Sequence, residues 1–229
     1  MKIIHGKSKS DKKVSGVISF YRRETFVPLA EHRDNPLAEY ERFMQARDVA
    51  ADELDMLFCI AAEKVSASAA SIFEIQKMMI EDKDFNKLVS GIIKSQKCNA
   101  EFAVKCASKI FYDLLRTSGS EYMRQRAEDI FYTSDRILRK LYGHDKCFKQ
   151  YTQDVIICVD TISSSDVLLM HSPFICALAM KKEAELSHGA IIAEELGIPI
   201  ISGLGNELDE RFEGKQALVE CSKGELIIA

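Results

Sequence analysis

The spacing of apolar residues changes twice along the chain, and each change marks a different kind of secondary structure. Short apolar runs at residues 3–5 and 14–20, on either side of a polar loop, predict two strands. From residue 37 to 65 apolar side chains recur every three or four positions, which predicts one long helix. Similar stripes continue as far as Gly143, and strand-like and helix-like segments alternate after it.

The helical stretch is long enough to form a bundle of its own. Three apolar stripes follow the long helix, at residues 72–80 with a continuation to 92, at 103–114 and at 123–141. Asn99 is a suitable N-cap for the second of these segments, and Gly143 ends the last. We therefore predict an α/β domain built from residues 1–36 and 144–229, interrupted by a helical insertion over residues 37–143.

Composition and charge narrow the class of protein. With 229 residues, 47% of them hydrophobic, the chain can bury a full core. A net charge of −4 argues against non-specific binding to nucleic acid or to an anionic membrane. No run approaches the roughly 18 apolar residues of a membrane span, and the start lacks the apolar core of a secretory signal. We expect a cytoplasmic protein.

Cysteines and histidines give no sign of a metal site. The seven cysteines include no CxxC pair, and the five histidines show no HxxxH spacing. We therefore predict neither a disulfide framework nor a metal site in this chain.

The stretch around His188 carries the strongest chemical signal. A short helix with an apolar face follows Ser187, Gly197 is a left-handed stop, and residues 198–202 predict a strand. His188 would then lie in the first helical turn, where backbone N–H groups and the helix dipole favour an anion carried on the imidazole. A neutral imidazole is also a nucleophile. From the residues alone, a surface histidine after a serine cap is the competing interpretation.

Three stretches resemble one family of enzymes. LSHGAIIAEELGIP, at residues 186–199, is similar to the phosphohistidine signature of phosphoenolpyruvate-utilising enzymes. SIFEIQKMMIEDKD, at 71–84, resembles a helical stretch of Enzyme I of the bacterial sugar phosphotransferase system, and so do EYMRQRAEDI and RILRKLYG, at 121–130 and 136–143. Dikinases share the histidine motif but lack the helical stretches, so the resemblance favours the N-terminal part of Enzyme I.

The resemblance implies a fold and a phosphoryl relay. The fold would be an α/β phosphohistidine (swivelling) domain with an inserted α-helical bundle. The family is a phosphoenolpyruvate-protein phosphotransferase, in which His188 would accept a phosphoryl group and pass it to the carrier protein HPr. Ser187, Gly189 and Ser163 would support the phosphate. The phosphoenolpyruvate site, its Mg²⁺ and the dimer contacts belong in the family to a C-terminal domain outside this chain, so no cofactor is expected within it.

In the family, HPr docks on the helical insertion through apolar and acidic side chains. The matching residues here are Glu74, Met78, Met79, Glu81, Asp82 and Asp84. An acidic rim would steer a basic partner towards this surface.

The chain departs from the family pattern close to the histidine. The family usually has two glycines and a threonine before the Ser-His pair, and this chain has the segment Glu183 to Leu186 there instead. The change removes the two glycines and a hydroxyl group and adds two carboxylates, those of Glu183 and Glu185. Val167 stands where the family usually has a threonine that bonds the imidazole. A non-catalytic module of the same fold that binds a phosphocarrier is therefore a second hypothesis. A phosphohistidine domain of a dikinase-like or antibiotic-modifying enzyme is a third.

Overall fold

A computed structural model describes residues 1–22, 24–144, 148–184 and 187–229, with the side chains of 121–126 and 128 left out. The strands are β1 (Lys2–His5), β2 (Lys13–Phe20), β3 (Val155–Val159), β4 (Ile175–Met180), β5 (Ile200–Ile201), β6 (Gln216–Glu220) and β7 (Glu225–Ile228). The α-helices are α1 (Pro36–Lys64), α2 (Ala67–Glu81), α3 (Lys83–Gln96), α4 (Ala100–Arg116), α5 (Glu121–Tyr142), α6 (Ser164–Met170) and α7 (His188–Glu195).

These elements form two compact units. The sheet unit comprises Met1–Arg23, Ala61–Ala69 and Cys147–Ala229, and the helical unit comprises Glu24–Ile60 and Ala70–Lys146. Helices α1 and α2 each contribute residues to both units. The predicted class, an α/β domain with an inserted helical bundle, is confirmed. Among the described residues, no helix is both long and apolar enough to cross a membrane.

The sheet unit is built on one seven-stranded sheet in the order β1-β7-β6-β2-β3-β4-β5. The strands from β2 to β5 run parallel to their neighbours, whereas β1, β7, β6 and β2 pair antiparallel. All five residues of β3 are buried, as expected for a parallel strand covered on both faces. Beyond the ends of the edge strands, Lys7 and Ser202 exchange backbone hydrogen bonds of 2.8 and 2.9 Å, so the two edges of the sheet meet.

The sheet confirms the strands predicted at residues 3–5 and 14–20 and shortens the one predicted at 198–202. β5 contains only Ile200–Ile201, instead of residues 198–202, and Ser202 pairs outside the strand with Lys7. Gly197 has a φ of +75°, the predicted left-handed stop of α7. The core of the unit consists of buried side chains from several strands and the loops between them, among them Ile4, Ile18, Ile156, Ala177, Ile201, Leu208, Val219 and Leu226.

In the helical unit, α4 packs against both α3 and α5. The largest fully buried side chains of the unit are Phe43, Leu54, Leu57, Phe73, Ile80, Phe85, Ile93, Ile130 and Ile137. The predicted long helix is confirmed, with bounds at Pro36 and Lys64. The stripe predicted to continue to residue 92 stays helical but is divided between two helices, because Asp82 between α2 and α3 has a non-helical backbone conformation, with φ −56° and ψ 127°. Its carboxylate accepts the N–H groups of Asp84 and Phe85, at 2.9 and 2.8 Å, and so begins a new helix.

A partly buried ion cluster holds the start of α1 to α4. Arg42 contacts Glu39 and Glu101, both at 2.6 Å, and Glu39 also accepts the backbone N–H of Ala100 at 2.6 Å. Asn99 occupies the predicted N-cap position, but its side chain makes no cap hydrogen bond. Its amide oxygen accepts the N–H of Glu31 instead, at 3.1 Å, and so holds the chain segment that precedes α1.

Candidate functional site

The candidate site lies at the start of α7, in the sheet unit. Helix α6 follows β3 and helix α7 follows β4, so both helices begin beyond the carboxyl ends of neighbouring parallel strands. In open α/β sheets this edge is where ligands bind, because loops and helix N-termini converge there. α6 and α7 pack against each other, which brings their first turns together.

His188 is the first residue of α7 and is half-buried. Ser187 is the N-cap: its hydroxyl oxygen accepts the N–H of Ala190 at 3.4 Å, and its carbonyl accepts the N–H of Ile191 at 3.1 Å. The first-turn position predicted for His188 is therefore the position it has. The positive end of the helix dipole therefore lies at His188, an arrangement that favours a negatively charged group there.

Gly189 allows the start of α7 to approach the start of α6 closely. A Cβ atom at this position would lie 2.4 Å from the carbonyl oxygen of Ile162, well inside van der Waals contact. Ile162 immediately precedes Ser163, the N-cap of α6, whose hydroxyl accepts the N–H of Asp166 at 3.1 Å. Ser163, Gly189 and His188, predicted as parts of one site, are thus brought together at the contact between two helix N-termini.

Two departures from the family pattern differ in their surroundings. Val167 is 1% exposed and belongs to the buried side of α6. Glu183 is exposed, and its carboxylate lies 2.7 Å from the ammonium nitrogen of Lys7. Glu185 and Leu186 lie outside the described residues. No pattern in the sequence pointed to the contact between Lys7 and Glu183, because the two residues are 176 positions apart.

Buried thiols of the same unit are poor nucleophiles. Burial raises the pKa of Cys158 to about 12 and that of Cys176 to about 11, so both thiols are protonated at neutral pH. Among the described residues, no three His, Cys, Asp or Glu side chains are arranged to hold a metal ion.

The residues predicted to bind a partner lie in the helical unit, at the end of α2 and the start of α3. Glu74, Met78 and Glu81 are exposed on α2, with Met78 66% exposed, and Met79 is half-buried. Asp82 is the N-cap of α3. Asp84, in the first turn of α3, lies 3.5 Å from Lys87. Asp82 therefore has a structural task that the sequence pattern did not indicate.

Comparison with known proteins identifies the family. Residues 6–126 match the PEP-utilising enzyme N-terminal family, and residues 151–224 match the PEP-utilising enzyme mobile domain. A phosphoenolpyruvate-protein phosphotransferase of Bacillus sp. (strain S) is 27% identical over 99% of this chain. Another, of Lactococcus lactis subsp. lactis (strain IL1403), is 28% identical over 83% of it. The chain spans 39% and 33% of the length of these two relatives.

Solved structures agree on the fold. An NMR structure of Enzyme I (nEIt) matches with a TM-score of 0.81 and 24% identity, covering 98% of this chain and 92% of that one. The N-terminal domain of Enzyme 1 - Nitrogen matches with a TM-score of 0.66 and 19% identity, covering 98% and 93%. The resemblance to the N-terminal part of Enzyme I is thereby confirmed. The chain belongs to the PEP-utilising enzymes and carries the N-terminal and mobile domains of that family.

Proposed function

We propose that this chain is the phosphoryl-carrying part of a phosphoenolpyruvate-protein phosphotransferase, with His188 as the acceptor. The observation that supports this most is the position of His188 at the capped N-terminus of α7, packed through Gly189 against the start of α6. The same histidine stands in the stretch that resembles the phosphohistidine signature, within the region that matches the mobile domain.

The chemistry requires only in-line transfer between nitrogen atoms. In the direction from HPr, an imidazole nitrogen of His188 attacks the phosphorus of phosphohistidine on HPr. The new N–P bond forms as the bond to the carrier breaks, and transfer to HPr is the reverse. Catalysis then consists of positioning and of stabilising the phosphoryl charge, which the adjoining helix N-termini can supply.

HPr would dock on the helical unit. Met78 offers an exposed apolar contact, and Glu74 and Glu81 on the same helix offer negative charge that attracts a basic partner. Asp82 is less suited to this role because its carboxylate already holds two backbone N–H groups of α3.

Phosphoenolpyruvate would reach His188 only through a C-terminal domain with its own Mg²⁺. We therefore expect the purified chain to stay unlabelled when it is incubated with labelled phosphoenolpyruvate and Mg²⁺. Adding the C-terminal domain of a relative should produce labelling. Label on the isolated chain would contradict this part of the proposal.

Phosphorylation by labelled phospho-HPr tests the acceptor. The unaltered chain should take up acid-labile, base-stable phosphate, and His188→Ala should take up none. His171→Ala is the matched control, because His171 lies in the same unit at the C-terminal end of α6 and should not affect uptake. Phosphate retained by His188→Ala would refute the site assignment.

Docking is tested separately from chemistry. The double variant Glu74→Lys/Glu81→Lys should bind HPr at least tenfold more weakly at low salt, with a flatter dependence on salt. Asp113→Lys, an exposed charge reversal on α4 of the same unit, should bind like the unaltered chain. Equal affinities for all three proteins in a calorimetric titration would contradict the docking surface.

A non-catalytic binding module is the second candidate, because Val167 brings no hydroxyl group to the buried side of α6. A non-catalytic module of this kind would bind HPr but exchange no phosphate with it. Binding of HPr without phosphate uptake by the unaltered chain would therefore replace the first proposal with the second.

A further inference from the structure

The segment that leads into His188 is tied to a distant part of the chain. The backbone of Lys7 exchanges hydrogen bonds of 2.8 and 2.9 Å with Ser202, just after β5. From this position its ammonium nitrogen reaches a carboxylate oxygen of Glu183 at 2.7 Å. Lys7 therefore links the closure of the sheet to the loop after β4.

Backbone contacts also hold the two residues on either side of Glu183. The carbonyl of Lys182 accepts the N–H of Gly203 at 3.1 Å, and the carbonyl of Ala184 accepts the N–H of Ser187 at 3.0 Å. Gly203, with a φ of +75°, lies so close that a Cβ there would contact the side chain of Glu183 at 3.6 Å. Because Ser187 is the N-cap of α7, its N–H joins the residue after Glu183 to the start of that helix.

The ion pair between Lys7 and Glu183 matters more for the net charge of this loop than for the stability of the fold. The side chains of Lys7 and Glu183 are 67% and 52% exposed, and pairs so exposed add little to the free energy of unfolding. Their effect on a phosphoryl group is different. A phosphoryl group adds between one and two negative charges, and an uncompensated carboxylate nearby opposes them.

We propose that Lys7 is a positioning residue for phosphoryl transfer: it neutralises Glu183 and holds that side chain in place in the loop after β4. This inference rests on the proposed function of His188. It also explains how this chain tolerates a carboxylate where the family usually has glycine.

Lys7→Met tests the inference through the equilibrium with phospho-HPr. For a separation on the order of 10 Å, Coulomb's law predicts that losing the compensating charge lowers the ratio of phosphorylated to unphosphorylated chain about two- to fourfold at low salt. The loss should shrink at about 1 M salt, where screening acts within roughly 3 Å. Lys7→Arg should restore the ratio. Lys13→Met is the matched control, because Lys13 is similarly exposed and pairs with Glu220 on the same sheet.

A double-mutant cycle separates charge compensation from a purely structural role. In the Glu183→Gln background, Lys7→Met should cause no further loss, because the negative charge at position 183 that Lys7 is proposed to offset is already gone. An equal loss in both backgrounds, or no loss in either, would overturn the inference while leaving His188 as the acceptor. Failure of the unaltered chain to accept phosphate would overturn this inference together with the proposed function.

Discussion

Replacing Gly189 with Ala should push α7 away from α6. The added Cβ would lie 2.4 Å from the carbonyl oxygen of Ile162, 3.0 Å from its carbonyl carbon and 3.1 Å from its side chain. Carbon and oxygen atoms in contact are normally about 3.3 Å apart or more, so a shift on the order of 1 Å is needed. The obstacle is backbone, which has no rotamer by which to move aside.

The net effect is the difference between two opposing contributions. Exchanging Gly for Ala within a helix stabilises it by up to about 1 kcal/mol. Forcing one extra carbon into a packed contact costs typically about 1–3 kcal/mol. We therefore expect Gly189→Ala to destabilise the sheet unit by about 1–2 kcal/mol. A displacement near 1 Å at a reacting group can also slow a reaction up to about a hundredfold, so phosphoryl uptake should fall at least tenfold.

Gly91→Ala is the control that isolates the clash. Gly91 lies within α3, and a Cβ there would meet nothing within 4 Å. This substitution should stabilise the helical unit by about 0.5–1 kcal/mol. Urea unfolding followed through the amide NMR signals of each unit measures both effects, and phospho-HPr uptake measures the consequence for His188. If Gly189→Ala were as stable and as active as the unaltered chain, the close packing of α6 and α7 would be refuted.

Three further predictions concern buried polar groups. Arg42→Met should destabilise the helical unit by about 2 kcal/mol, because it removes a partly exposed cation that both buried carboxylates, Glu39 and Glu101, contact at 2.6 Å; a loss below about 0.5 kcal/mol in urea would contradict this. Burial alone would raise the pKa of Glu39 and Glu53, but cationic neighbours outweigh it and lower both. The ion pairs of these two glutamates therefore stabilise the folded chain above the ordinary pKa of 4.5, and this stabilisation is lost as the pH falls through the lowered pKa values. The free energy of unfolding should decrease over that acidic range. An unchanged free energy of unfolding on acidification would contradict the ion pairs. Ser163→Ala should cost about 1 kcal/mol through loss of the α6 cap, and Ser163→Asn should recover most of it.

The sequence was most informative where a pattern repeats and least informative at single contacts. The stripe of α1 repeats over eight turns, which is why its bounds were predicted to within one residue. The stripe of α2 and α3 also continues smoothly, yet the helix breaks at Asp82, where one carboxylate caps a new turn. A stripe reports which side chains face the core and does not report where the backbone changes direction.

The candidate site shows the same division. Ser187, His188 and the stop at Gly197 follow from local spacing, and the structure has them as predicted. The contacts to Ile162 and Lys7 join residues far apart in the chain, so they depend on the order of the strands. No local rule pairs a lysine of an N-terminal polar loop with a glutamate beyond β4.

The two departures beside His188 place different demands on the chemistry. Glu183 brings a charge, and a charge can be offset by a neighbour such as Lys7. Val167 removes a hydrogen-bonding group, and no charge elsewhere can replace it; another hydroxyl must serve. Ser163 is suited to this, because its oxygen accepts the N–H of Asp166 and the hydroxyl proton can still be donated. Ser164 and Ser187 are the other hydroxyls that we expect to be able to replace the lost contact. If Ser163 provides it, that residue has two tasks, capping α6 and bonding the imidazole or its phosphoryl group, and the two tasks separate in Ser163→Asn, which keeps the first and loses the hydroxyl.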